Sequence, residues 1–529
     1  MTSLLDQTTP RPDWCEILVV LLLLFAALAL RLDQLDRPSY TWDEATDREI
    51  AFSYLLNGDL TVADREPSQA RLPIYMETLV LKLWGDSEFK LRFPSVIAGA
   101  LSLLVIWQMG RLVFGPWVGV AAMALAAVNP FHLLISRLSG THGDALLALF
   151  YTLGLWLLLK FWQRWLSHKE VTFQSAEIRY LLLFGFVSGI ATGAKLSGVL
   201  ILVNLLVVAV RGRRAWRRLL PWLLLTGALW AGGFLLTSSI YLRWENVLAA
   251  WQDQQQHWQQ VRGLHFLGRV YEMLPRWYWG IVIPIKFTIP FALALIFQTA
   301  WLLTRLKSRR PLEKILLFNL YPLLALVARR WQSPTYAALL IGPFFALAGQ
   351  TVSQLIALVR ERRSQIPQWA TALALLALVL LVGENARVLA VTHPDYLMTG
   401  YDFGDAVIGE FWGPAVFHCQ GAGQALAHIA EQPPGEILAP ATCGIMMGYY
   451  RIVYDLPEIT FQTKLERPED VLNYRYVIYD YHTTYMTTPY PLKQESTALR
   501  QGAQEYCELI HTYALREREL FWIYECPDE

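Results

Sequence analysis

Apolar stretches of about 20 residues recur through the first three quarters of this chain, and no other feature limits its fold as strongly. A helix needs about 20 apolar residues to cross a hydrocarbon core roughly 30 Å thick, and lipid forces the backbone of any span to satisfy its own hydrogen bonds. The series therefore predicts a polytopic α-helical membrane protein with about eleven transmembrane helices. They fall near 14–31, 94–113, 116–134, 144–162, 179–194, 196–211, 218–238, 277–304, 313–328, 335–358 and 368–389. Composition agrees, with 54% hydrophobic and 17% charged residues. The formal net charge is +1, and the arginine clusters sit between apolar runs instead of along one amphipathic face, so nucleic acid is not an expected partner.

Those clusters set the orientation, because Lys and Arg in short loops mark the cytoplasmic side. Arg211, Arg213, Arg214, Arg217 and Arg218 form one such loop, Arg305, Lys307, Arg309 and Arg310 the next, and Arg360, Arg362 and Arg363 the last. An odd number of spans then places the N-terminus in the cytoplasm and residues 391–529 outside, in a multi-pass plasma (inner) membrane protein. No small-residue cleavage site follows the first apolar run, which reads as a retained span.

Cysteine usage points the same way. Cys15 lies in the first span, whereas Cys419, Cys443, Cys507 and Cys526 all fall in the region assigned to the outside. Four cysteines in an oxidising compartment suggest two disulfides, with four reduced buried thiols as the alternative. Residues 508–514 and 521–525 alternate like strands around a turn at 516–518, and a hairpin there would set Cys507 opposite Cys526, leaving Cys419 near Cys443.

The chain divides into a membrane region, 1–390, and a small extracytoplasmic C-terminal α/β domain, 391–529, with an expected strand at 477–479 and a helix at 421–431. No internal repeat or low-complexity segment is apparent. The outer loop 32–93 carries two amphipathic segments, 45–57 and 73–84, broken at Asn57-Gly58 and suited to the bilayer surface. A second outer loop, 239–276, is crowded with Trp, Gln, Arg and His.

Three groups of residues could carry chemistry. Asp43 and Glu44, within Tyr40-Thr41-Trp42-Asp43-Glu44, open an interfacial helix. Paired carboxylates near lipid suit a general base, and equally an acidic N-terminus complementing a helix dipole. Asp144 follows Ser139-Gly140-Thr141-His142-Gly143, and Thr141 could simply cap that helix. His142 with Asp43 and Asp144 makes only a scattered metal-ligand set, so no metal site is assigned. The third group is cationic: Arg71, Arg92, Arg137, Lys195, Arg262, Lys286 and Arg329-Arg330 map to outer span ends, against the positive-inside bias. Some would snorkel or neutralise carboxylates, but so many at one face suggest an anionic ligand such as a phosphate at the membrane surface.

Several of these pieces occur in an order and placement that resembles the GT-C superfamily of polyprenol-phosphate-sugar transferases, in particular its protein O-mannosyltransferase-like and aminoarabinose-transferase-like members. They are Trp42-Asp43-Glu44, Arg71-Leu72-Pro73-Ile74-Tyr75, Ser87-Glu88-Phe89-Lys90-Leu91-Arg92-Phe93-Pro94-Ser95, Asn129-Pro130 with Ser136-Arg137 and Asp144, and Ile285-Lys286-Phe287-Thr288-Ile289-Pro290. The last is similar to a Lys-Thr-Pro signature with an inserted Phe. Arg71-Leu72-Pro73 stands where the family has His or Lys before two prolines, and Arg329-Arg330-Trp331 replaces an Arg-Tyr.

The resemblance implies a glycosyltransferase of hexosyl or pentosyl type using a lipid-phosphate-linked sugar donor. Asp43 would be the base of an inverting transfer to an acceptor hydroxyl on a protein, lipid or glycan, Glu44 its neighbour and Asp144 the second acid. Arg71, Arg92, Arg137 and Lys286 would face the donor phosphate. No cofactor is required beyond the lipid-linked donor, and the expected partners are the bilayer, that donor and an unidentified acceptor. Three rivals stay open: a metal-dependent oligosaccharyl transferase on the same scaffold, a transporter or flippase for a lipid-linked sugar, and a membrane scaffold with an outer binding domain.

Overall fold

The structure, a computed structural model, describes residues 12–527 apart from 39, 59–70, 140–142, 168–174, 212–215, 250–251, 253–263, 267–268, 272–274, 309, 330–333, 361–367, 394–420, 441–442, 463–464, 466, 481–491 and 516–517. Its first half is a run of helices: α1 (Trp14–Leu32), α2 (Trp42–Asn57), α3 (Leu72–Trp84), α4 (Glu88–Val113), α5 (Pro116–Val128), α6 (Pro130–Arg137), α7 (Asp144–Ser167) and α8 (Ser175–Ala194). Later helices include Trp216–Thr237, Tyr278–Phe287, Ile289–Thr304, Ile341–Arg360 and Gln368–Thr392.

Local chemistry explains where these helices begin and end. Asp13 caps α1, Ser87 caps α4, and Thr41 with Glu44 forms a capping box on α2. Gly58, at φ +68, closes α2 in the left-handed conformation that non-glycine residues resist, so the Asn57-Gly58 break holds. Gly185, Gly189 and Gly193 line one face of α8. A Cβ at Gly189 would lie 2.1 Å from the Trp230 carbonyl oxygen, so α8 and the Trp216–Thr237 helix approach backbone to backbone.

Among the described residues eight helices are long and apolar enough to cross a membrane, and up to ten spans result if each of two bent pairs counts as one. The run 116–134 is α5 and α6, bent by 62° at Asn129-Pro130. The expected span 196–211 is a 3-10 segment, Leu196–Leu202, followed by the short helix Val203–Arg211. The single crossing expected at 277–304 is also corrected, because the helices Tyr278–Phe287 and Ile289–Thr304 meet at 118°. Thr288 between them has φ +78, which is unusual for a β-branched residue, and Pro290 follows, so the helix cannot run straight through.

The C-terminal region forms a five-stranded sheet. A short hairpin, β1 (Leu264–Phe266) with β2 (Arg269–Tyr271), precedes it in the chain. The sheet contains β3 (Ile437–Pro440), β4 (Ile459–Gln462), β5 (Tyr476–Asp480), β6 (Glu508–Leu515) and β7 (Arg518–Glu525) in the order β4-β3-β5-β7-β6. β3 runs parallel to β4 and β5, and β7 antiparallel to β5 and β6. Both β3 and β5 are buried throughout, as apolar strands covered on two faces should be. Glu508 pairs with Glu525, so Cys507 and Cys526 fall opposite one another and are disulfide-bonded with Cα atoms 4.2 Å apart. Cys443 is disulfide-bonded as well, while Cys419, its expected partner, lies outside the described residues.

Candidate active site

The site is built where the segment after α1 turns into α2. Glu44 does two jobs there. Its Oε2 accepts from the Thr41 backbone N–H at 2.9 Å to complete the capping box, and both its oxygens accept from Arg92, Oε1 from Nε at 2.8 Å and Oε2 from Nη2 at 2.9 Å. Oε1 also takes the Ser139 backbone N–H at 2.7 Å. Burial would raise this carboxyl, but the Arg92 guanidinium and the Ser139 and Thr41 donors outweigh it and hold Glu44 below its ordinary range. A carboxylate so engaged cannot accept an acceptor's proton. Asp43, beside it in the first turn, is half-buried and benefits from the same helix dipole.

Asp144 opens α7 and does not fold back on its own turn as a cap. Its Oδ1 accepts from Lys195 Nζ at 2.7 Å, and its Oδ2 is buried without a hydrogen-bond partner. Lys195 lies just beyond α8, reaches Thr335 Oγ1 at 3.4 Å, and rests 4.5 Å over the Tyr336 ring. Gly143, at φ +59, lets this corner close: a Cβ there would sit 2.0 Å from the Ala194 carbonyl oxygen and 3.1 Å from Pro73. Pro73, Gly143 and Ala194-Lys195 thus meet at one point, while Ser139, two residues past the end of α6, bonds Glu44. His142 and Thr141 lie outside the described residues, and no group of three or more metal-capable side chains occurs among the described ones.

The cations divide into two kinds. Arg92, expected at a donor phosphate, is buried and engaged elsewhere: beyond Glu44, its Nη1 donates to the Leu35 and Pro38 carbonyls at 2.8 and 2.7 Å. Arg137 clasps the end of α1, donating to the carbonyls of Leu30, Arg31, Asp33 and Gln34. Both forks donate to carbonyls at and just beyond the end of α1, and Arg92 to the Glu44 carboxylate as well. Arg71 sits buried at the start of α3, two residues from Pro73. Lys286 is buried in the last turn before the 118° break, next to Phe287, whose carbonyl accepts from Asn129 Nδ2 at 3.0 Å. Thr288, at the break, keeps a buried hydroxyl without a partner.

Two groups escaped the sequence reading. Arg31 donates to the Ala27 and Ala127 carbonyls and to His132 Nδ1 at 2.8 Å, and His132 Nε2 meets Ser102 Oγ at 2.9 Å. A guanidinium only donates, so His132 accepts at Nδ1 and passes a donor on to Ser102. The available signal was a charged residue closing an apolar run, which needs an internal partner. The other group is a tyrosine cluster. Tyr40, fully buried, packs against Tyr449 and Tyr450 of the Gly444–Val453 helix, with ring centroids 5.2 and 6.4 Å away. Burial and then nearby Glu88 push the Tyr450 hydroxyl well above its ordinary value, so it stays protonated.

The family model described as dolichyl-phosphate-mannose-protein mannosyltransferase matches residues 68–232, which include α3, α4, Asp144 and Lys195. No curated protein matches the sequence. Among solved structures, ArnT from Cupriavidus metallidurans in the apo state aligns with 16% identity over 95% of this chain and 97% of its own, at a TM-score of 0.53. The same protein bound to undecaprenyl phosphate gives 16% identity, the same coverage and a TM-score of 0.52. The archaeal oligosaccharyltransferase AglB from Archaeoglobus fulgidus, in complex with an inhibitory peptide and a dolichol-phosphate, aligns with 14% identity over 94% of this chain and 73% of its own, at a TM-score of 0.54. Matched nearly end to end with one of these proteins and through most of the other, the chain has the GT-C fold, an α-helical membrane region followed by a small mixed-sheet domain.

Proposed function

We propose that the chain is a membrane glycosyltransferase that moves a hexosyl or pentosyl group from a polyprenyl-phosphate carrier to an acceptor hydroxyl on the extracytoplasmic side, with inversion. The observation that carries this reading is the build of two acidic helix starts: Glu44, beside Asp43 in the first turn of α2, is locked by Arg92, and Asp144 at the start of α7 is held by Lys195 with one oxygen unsatisfied.

In the reaction, Asp43 takes the acceptor's proton while the acceptor oxygen bonds to the anomeric carbon. The bond from that carbon to the phosphate oxygen breaks, and polyprenyl phosphate leaves with the electron pair. General-base assistance of this kind contributes roughly 10²–10⁴ in rate. Lys195, Arg71 and Lys286 are the cations suited to the leaving phosphate, where charge builds as the bond breaks. The likeness to a structure described as bound to undecaprenyl phosphate supports a lipid-phosphate donor.

The test is mass spectrometry of envelope lipids and glycoproteins from cells carrying Asp43→Asn in place of the natural protein. Sugar-bearing species should fall by about 10² or more. Their persistence at normal levels would remove Asp43 from the chemistry and the reading with it.

A further inference from the structure

We infer that Tyr450, on the C-terminal domain, is a positioning residue for transfer, its hydroxyl fixing the segment that presents Asp43. The inference rests on the glycosyltransferase reading above and assigns a task to a domain that carries no catalytic motif of its own.

The Tyr450 ring is buried, and its hydroxyl bridges two elements of the membrane region. It accepts from the Tyr40 backbone N–H at 2.8 Å and donates to Glu88 Oε1 at 2.9 Å. Tyr40 immediately precedes Thr41, the N-cap of α2, and Asp43 follows in the first turn. Glu88 lies in the first turn of α4, one turn before Arg92. Tyr450 therefore joins the same two helix starts that Glu44 and Arg92 join.

Two further contacts fit the domain to this segment, and a third, within the domain, seats the Tyr450 ring. Gln424 Nε2 donates to the Arg37 carbonyl at 2.8 Å. Arg48, on α2 and paired with Asp86, lies 4.1 Å over the Tyr449 ring. Gly423 gives the Tyr450 ring its place, since a Cβ there would come within 2.8 Å of it. Removing the Tyr450 hydroxyl alone leaves the packing intact while the Tyr40 N–H loses its acceptor, and a buried donor without one drives the segment to shift. A shift of Tyr40 moves the first turn of α2, and a base displaced from its proton transfers it poorly.

The experiment compares the full-length natural protein with Tyr450→Phe, Asp43→Asn and Gln424→Ala. Transfer is measured per folded molecule in membrane vesicles using their own lipid-linked sugars. Undecaprenyl phosphate binding is measured by native mass spectrometry, and thermal melting is followed alongside. Tyr450→Phe should lower transfer about tenfold, the effect of one unsatisfied buried group, with undecaprenyl phosphate binding unchanged. Gln424→Ala, which loosens the same segment from its exposed side, should lower it about threefold. A purely structural contact would lower the melting temperature and leave transfer per folded molecule as it was. That result in Tyr450→Phe, with Asp43→Asn inactive, overturns this inference and leaves the proposed function standing. If Tyr450→Phe yields no folded protein, unchanged transfer in Gln424→Ala overturns it in the same way. An active Asp43→Asn removes both.

Discussion

Two acid–base pairs, Glu44 with Arg92 and Asp144 with Lys195, are built on opposite principles. The Glu44–Arg92 pair is closed: neither side chain is more than 2% exposed, both carboxylate oxygens are bonded, and Arg92 also holds two loop carbonyls. The Asp144–Lys195 pair is open: Lys195 is 14% exposed, leans on an aromatic face, and leaves one Asp144 oxygen unmatched. A closed pair has nowhere to move and serves to hold chain segments together. An open one can exchange partners at little cost when a substrate charge arrives.

Breaking the closed pair should have the largest effect. Arg92→Met strands a buried carboxylate and releases the 35–38 segment, so it should destabilise the protein by about 3–5 kcal/mol. Size-exclusion chromatography and thermal melting in detergent should find little folded protein. Normal folding of that variant would mean the closed pair is not the scaffold described. Lys195→Met also strands a buried carboxylate, Asp144 being 4% exposed, but it releases no chain segment, so it should lower the melting temperature less than Arg92→Met while transfer falls roughly hundredfold, the order expected when one charge-stabilising group is lost. A variant that unfolds, or one that transfers normally, would erase the contrast between the pairs.

The smallest effect is in acid. The folded protein holds the Glu44 carboxyl below its ordinary value of 4.5, so the folded state binds fewer protons there than the unfolded state. Its contribution to stability is therefore complete above about pH 4.5 and is lost as pH falls through the lower folded value. Melting temperatures followed downward from pH 5 should drop less steeply in Glu44→Gln than in the natural protein, and equal slopes would place the acid sensitivity elsewhere.

The spans were legible because lipid leaves so few ways to satisfy a backbone that length and apolarity nearly suffice. The Cys507–Cys526 bond was legible for a related reason: once 508–514 and 521–525 form a hairpin, register alone brings the two cysteines together. The reversal inside 277–304 was not, since an apolar run reads the same straight or bent, and only Thr288-Ile289-Pro290 hinted at the break. Cations were the hardest to read. Arg92 and Arg137 share the sequence context of phosphate-binding arginines, yet nearby carboxylate and carbonyl oxygens satisfy them. A residue type states how many donors it carries, and only the fold states which acceptors reach them first. Tyr450 left no local trace at all, because what gives it meaning is a backbone N–H 410 positions away.

That separation also sets a schedule. A chain made at roughly 5–20 residues per second completes Arg92 about 2–10 s after Glu44, whereas Tyr450 follows Tyr40 by about 20–80 s. The early helix must wait in the membrane for most of a minute without the domain that will grip it. The closed ion pair is what holds it meanwhile, so the interior salt bridge acts as a clamp during biogenesis, and the tyrosine arrives as the latch.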